Sequence, residues 1–192
     1  MPKQLPIFPL PAQVMPEGKL PLRIIEPKYI RMVRDCVKEQ SSFGIVMAAP
    51  DATESYATLL PIGTAAKIID FDQLEGGILG ITALGYQRFR IIEVAQQNDG
   101  LRVATVEELP LWPDRPLPSH EQYIAQRLCD IYQQYPDLGD LYHCLKLNNL
   151  TWLCQRWLEI LPIPVEQKQM LMATTTCERT HQLLTHLLNQ AA

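Results

Sequence analysis

Histidine and cysteine are the residues here best suited to holding a metal ion, and their spacing argues against one. His181 and His186 are five apart on a helical pattern, so they diverge by about 140° and cannot chelate from one face. Cys177 and His181 have an i, i+4 helical spacing, and His143 adjoins Cys144. Two ligands without further partners read as an interior thiol and a surface imidazole. No serine sits in a G-x-S-x-G elbow, and Ser41, Ser42, Ser55 and Ser119 fall in turns or a helix cap. Gly76, Gly77, Gly80 and Gly85 lack the spacing and the lysine that cradle a phosphate, and so read as a turn and as points of close backbone approach. The sequence therefore predicts a protein that is not an enzyme and uses no cofactor or metal.

Other residues are suited to binding. Trp152 and Trp157 are five apart on a predicted helix; large aromatics at such positions either fill a core or anchor a partner. Arg31, Arg34 and Lys38 form a short basic stripe diluted by Asp35 and Glu39, which reads as a solvated helix face or, alternatively, a nucleic-acid patch. Arg23 and Glu26, three apart at a proline-bounded bend, are expected to form a charge pair tying a strand to the following helix, or else to orient a ligand. Gly63, Gly85 and Arg88 read as fold determinants, the glycines through close backbone approach and the arginine by capping strand carbonyls.

The elements that must position these residues divide into two kinds. Four prolines between Leu109 and Pro118 prevent regular structure there, which places a boundary between domains 1–117 and 118–192. Upstream, 43–48, 64–71, 78–92 and 101–106 are rich in Ile, Val, Thr and Phe and read as strands. Glu75-Gly76-Gly77 and Asn98-Asp99-Gly100 supply residues that tolerate the positive φ of hairpin turns. Consecutive pairing predicts a twisted meander curled into a barrel. One helix interrupts it over 28–38, with Tyr29, Ile30, Val33, Cys36 and Val37 on its apolar face.

Downstream the period is helical. A capping box at Ser119 and Gln122 opens one helix that ends before Pro136, and further helices are predicted over 138–146, 150–161, 164–173 and 177–189, the last behind a capping box at Thr175 to Glu178.

Composition bounds the whole. The chain has 192 residues, 47% hydrophobic and 20% charged, with 16 Pro against 9 Gly, the profile of a globular protein able to bury a core. A net charge of −4 gives no general attraction to nucleic acid or anionic membrane. Five dispersed cysteines without a C-x-x-C pair predict a reducing, cytoplasmic setting.

One series of strings is specific. Leu5-Pro6-Ile7-Phe8-Pro9-Leu10, then Leu20-Pro21-Leu22-Arg23-Ile24-Ile25-Glu26-Pro27-Lys28-Tyr29-Ile30, Phe43-Gly44-Ile45-Val46, Ile62 to Ile68, Gly85 to Ile91, and the downstream Leu161-Pro162-Ile163-Pro164 with Glu178-Arg179, resemble in order and spacing the Lon N-terminal domain. That domain is the substrate-binding module of ATP-dependent Lon proteases and is also found in cereblon. Ile25 stands where the family often has Phe. The resemblance implies an α+β fold: an N-terminal β-rich, PUA-like pseudo-barrel with one inserted helix, then a C-terminal helical bundle. It also implies a free-standing, bacterial-type module without Lon's ATPase and peptidase, binding protein or peptide segments in an ATP-independent way as an adaptor or chaperone-like factor. No membrane is expected as a partner, and the oligomeric state stays open. Candidate partner-binding residues are Arg23, Glu26, Tyr29, Tyr86, Trp152 and Trp157. An alternative is RNA binding, because PUA-like barrels elsewhere hold RNA. A small-molecule sensor ranks last.

Overall fold

The computed structural model describes residues 3–49 and 58–190. The chain forms two compact units, Met1–Leu109 and Pro110–Ala192. They divide ahead of the proline-rich segment, not at its end near Leu117. That segment belongs to the second unit because its backbone and side chains bond to helices there: Leu150 N–H donates to the Arg115 carbonyl at 2.7 Å, and the Trp112 indole to that of Thr174 at 2.7 Å.

The first unit holds β1 (Lys3–Leu10), β2 (Lys19–Ile24), α1 (Pro27–Glu39), β3 (Phe43–Ala48), β4 (Leu59–Gln73), β5 (Leu79–Gln96) and β6 (Arg102–Glu108). The expected meander is present from β3 to β6, each strand antiparallel to the next. Closure departs from it. β1 runs parallel to β3 on one side and antiparallel to β6 on the other, so the circuit β1–β3–β4–β5–β6 returns to its start and removes most strand edges. β2 pairs with the first half of β5, Leu79 to Leu84, and β6 with the second half, Phe89 to Gln96. Only a strand as long as β5 can serve both.

Two apolar clusters fill this unit. One gathers Phe8, Leu22, Phe43 and Ile81 beneath Met32, Val33 and Cys36 of α1; the other gathers Ile7, Val46, Phe89 and Val106. Backbone approach is close where glycine was expected to permit it. A Cβ on Gly85 would lie 2.6 Å from the Met15 carbonyl oxygen, and one on Gly63 2.7 Å from that of Ile45. Gly76, Gly77 and Gly100 take positive φ in the two hairpins.

Pro27 starts α1 and Gln40, left-handed at φ 51°, ends it by donating to the Cys36 and Val37 carbonyls. The helix is rotated from the expected face. Met32 is buried, whereas Ile30 and Val37 are 44% and 48% exposed. Positions 29, 32, 33 and 36 form the true i, i+3, i+4, i+7 stripe, and 30 and 37 fall on its flank.

The second unit contains α2 (Gln122–Gln134), α3 (Pro136–Gly139), α4 (Leu150–Ile160), α5 (Val165–Met172) and α6 (Glu178–Gln190). Every residue of α4 from Leu150 to Leu158 is buried; it is the central helix, packed by α2 and α6. Two expectations fail here. Residues 119–121 form a 3₁₀ turn and α2 begins without a side-chain cap. The predicted helix over 138–146 is a short α3 followed by turns, because Tyr142 is drawn inward, stacked on Tyr132 at 5.8 Å and edge-on to Trp152 at 5.8 Å. At α6 the cap comes from Thr176, whose hydroxyl accepts from Glu178 N–H at 3.4 Å.

Candidate functional site: a groove along the first helix

A cavity of about 540 Å³ lies in the first unit between α1, the start of β1 and the β5–β6 hairpin. Its floor is apolar, made by Leu5 and Pro6 of β1, Met32 and Cys36 of α1, and Leu101 and Val103. Asp35 and Glu39 line it from α1. Burial pushes the Cys36 thiol above its ordinary range, so Cys36 contributes surface here and no nucleophile.

Each end is built by side-chain bonds between residues far apart in the chain. At one end the Arg31 guanidinium donates to Asp99 at 2.7 Å, to Gln97 at 2.5 Å and to Asp35 at 3.4 Å. These bonds fasten the β5–β6 hairpin to α1 and hold the Asp99 carboxyl below its usual range. Arg31 is therefore no part of a free basic face, and Arg34 also meets Asp35, at 3.4 Å.

At the other end stands Tyr86. Its strand pairs Ala65 with Gln87 and Ala66 with Gly85, leaving Tyr86 as the extra residue of a β-bulge. Bulges re-aim side chains. The Tyr86 hydroxyl donates to Ser42 Oγ at 3.0 Å and accepts from Lys3 Nζ at 3.1 Å. Lys3 Nζ lies 5.7 Å and Lys67 Nζ 5.1 Å from the centre of its ring, within cation–π range. Among the described residues no carboxylate comes within ion-pair distance of either lysine.

Of the six candidate partner-binding residues, Tyr86 alone lines this groove, which also takes Arg31, Asp35 and Glu39 from the charged stripe of the first helix. Tyr29 packs on Phe8 at 4.5 Å. The expected Arg23–Glu26 pair does not form: Glu26 takes Lys28 across Pro27 at 2.8 Å, which raises the Lys28 pKa, while Arg23 is exposed on β2. Trp152 and Trp157 are both buried in the second unit, Trp157 donating to the Ile124 carbonyl at 3.1 Å. Arg88 is fully enclosed, and desolvation pushes its pKa down to about 10. Lys3 and Lys67 were missed, and Ser42 and Asp99 were read only as turn residues. Strand pairing brings Lys3, Lys67 and Ser42 to the Tyr86 end, while Asp99 stands at the Arg31 end.

The chemical inventory elsewhere is structural. His181 Nε2 is 2.7 Å from Glu121 Oε2. The Cys177 sulfur accepts from Thr151 at 3.6 Å and is held below the ordinary thiol range chiefly by a hydrogen bond with Cys154, whose own pKa rises. Among the described residues no group of three or more His, Cys, Asp or Glu is placed to hold a metal ion. Ser55 lies outside the described residues. No helix among them is long and apolar enough to cross a membrane.

The sequence model of the ATP-dependent protease La (LON) substrate-binding domain matches residues 4–190. This chain belongs to that family. A solved Lon N-terminal domain protein from Xanthomonas campestris superposes with a TM-score of 0.75 at 26% identity, covering 96% of this chain and 98% of that one. Among curated relatives, a Lon protease of Anaeromyxobacter dehalogenans is 24% identical over 99% of this chain, and protein cereblon of Danio rerio 35% identical over 56% of it. This chain spans about a quarter of the length of each, 23% and 26%. The Lon substrate-binding domain fold accounts for the order seen here, a β-rich sheet followed by helices.

Proposed function

We propose that this protein is a non-catalytic binding module that captures exposed polypeptide segments in the groove along α1, acting as an adaptor or chaperone-like factor. The supporting observation is the groove: a cavity of about 540 Å³ in the barrel unit, with apolar residues on its floor and polar ones around it, in a chain that belongs to a substrate-binding family. Apolar floors walled by polar groups suit side chains that folded proteins hide and unfolded ones expose. Preformed ends, held by the Arg31 and Tyr86 bonds, reduce the ordering cost of binding. An RNA reading draws less support, because Arg31 and Arg34 of the basic stripe are already bonded to carboxylates.

The test is titration of fluorescently labelled, reduced and carboxymethylated lactalbumin, an unfolded chain, with the purified protein. Saturable binding, weakened several-fold by Val103→Glu in the floor, is expected. A flat titration at every concentration up to 100-fold above that of the probe rejects the proposal.

A further inference from the structure

The two ends of the groove differ in charge, and that difference selects a ligand. At the Arg31 end the cation is matched by Asp99 and Asp35. At the Tyr86 end two ammonium groups flank one phenol, and no carboxylate among the described residues neutralises them. Lys3 Nζ, bonded to the hydroxyl at 3.1 Å, stands at the oxygen edge of the phenol, and Lys67 Nζ lies 5.1 Å from the ring centre; a carboxylate reaching both would gain two charge-assisted hydrogen bonds.

The surroundings narrow what carries that carboxylate. Asp35 and Glu39 line the α1 side, so further negative charge along the groove is repelled. Between the ends the floor is apolar. Arg31 and Glu39 are eight residues apart on one helix, about 12 Å, which is room for three or four extended residues. The Tyr86–Ser42 bond bridges β5 to the turn after α1, so a chain lying on the floor is stopped there.

Resting on the peptide-capture reading above, we infer that the Lys3–Lys67–Tyr86 end receives the C-terminal α-carboxylate of a polypeptide whose last few residues are apolar. The protein thus reads a chain terminus, where a groove open at both ends would take any unfolded stretch. Tyr86 positions the two lysines: its hydroxyl accepts from Lys3, and its ring lies within cation–π range of Lys67.

The experiment uses three fluorescein-labelled octapeptides ending in Leu-Val-Ala: one with a free carboxylate, one with a C-terminal amide, and one amidated with Asp in the last place. Anisotropy is read at low ionic strength with wild type and with the Lys3→Gln/Lys67→Gln double variant. The free acid is expected to bind wild type about tenfold tighter than the amide, a figure allowing for solvent screening of exposed charges. The double variant should cut that ratio below about twofold while its melting temperature stays within about 2 °C of wild type. Equal affinity for acid and amide overturns the inference, as does a tenfold ratio that survives in the double variant. An Asp-ended amide that binds as tightly as the free acid overturns the assignment to a terminus. If no octapeptide binds but unfolded lactalbumin does, this inference alone falls; if lactalbumin also fails, the capture reading falls with it.

Discussion

Each unit of this protein places cations over aromatic rings, and the two placements have opposite consequences. In the helical unit Arg156 is completely buried, its guanidinium 5.4 Å from the Trp152 ring and 5.8 Å from that of Tyr142. Glu159 accepts from it twice, at 2.9 Å each. That cation is enclosed and matched, so its electrostatics are consumed in holding α4. In the barrel unit Lys3 and Lys67 flank Tyr86 from exposed positions, and both ammonium groups stay open to solvent. A buried charge must be paired to be tolerated, whereas an exposed one costs little to leave available. Burial and partner, not residue type, decide whether a cation serves the fold or a ligand.

That contrast can be broken most severely at Gly85, the residue that lets Tyr86 bulge outward. Gly85→Val drives a side chain into the Met15 carbonyl; a loss of about 3–5 kcal/mol is expected, read by urea denaturation, and a near-neutral result would show that the loop at Met15 yields freely. Removing the enclosed cation comes next. Arg156→Ala removes both hydrogen bonds to the Glu159 carboxylate, which is only 12% exposed, at a cost of about 3 kcal/mol; a loss below 1 kcal/mol would mean that Arg156 is not the matched partner described above.

Tyr86→Phe keeps the ring and deletes the hydroxyl that bonds Ser42 and Lys3. Its stability should fall by about 1 kcal/mol, while any preference for a free peptide carboxylate narrows. Least disruptive is acidification. The Asp99 pKa is depressed in the fold by Arg31, so its contribution is present above the ordinary aspartate value and is lost as pH falls through the lower folded value. NMR titration should show the Arg31 Nε–H signal shifting in that window, below pH 4. Asp99→Asn should abolish the shift, and persistence of the shift in that variant would exclude Asp99 as its origin.

Much of the scaffold was legible. β3 appears over the expected residues, both hairpins turn at the expected glycines, and α4, α5 and α6 match their predicted spans within a residue or two, because apolar period and turn chemistry are local signals. The failures are equally specific. The 138–146 helix gave way to the packing of Tyr142 against Tyr132 and Trp152, and the Ser119 box to a 3₁₀ turn; tertiary contacts outweighed propensities of a few tenths of a kcal/mol per residue. Glu26 chose Lys28 across Pro27 over Arg23 on the strand.

Of the candidate partner-binding residues the site took one, Tyr86, flagged within the Gly85–Ile91 string. Lys67 sat in view in the Ile62–Ile68 string, and an outward lysine one strand away from a bulged tyrosine was the signal that could have found it. By itself the amino-acid order determined most of the element types from β3 onward, the glycines at crowded backbone positions and the family. Only the tertiary structure decided that Lys3 meets Tyr86 across 83 residues and that Arg31 meets Asp99 across 68. Parallel pairing of β1 with β3 and closure onto β6 bring those residues together, and pairing at such separation leaves no periodic trace in either partner's local sequence.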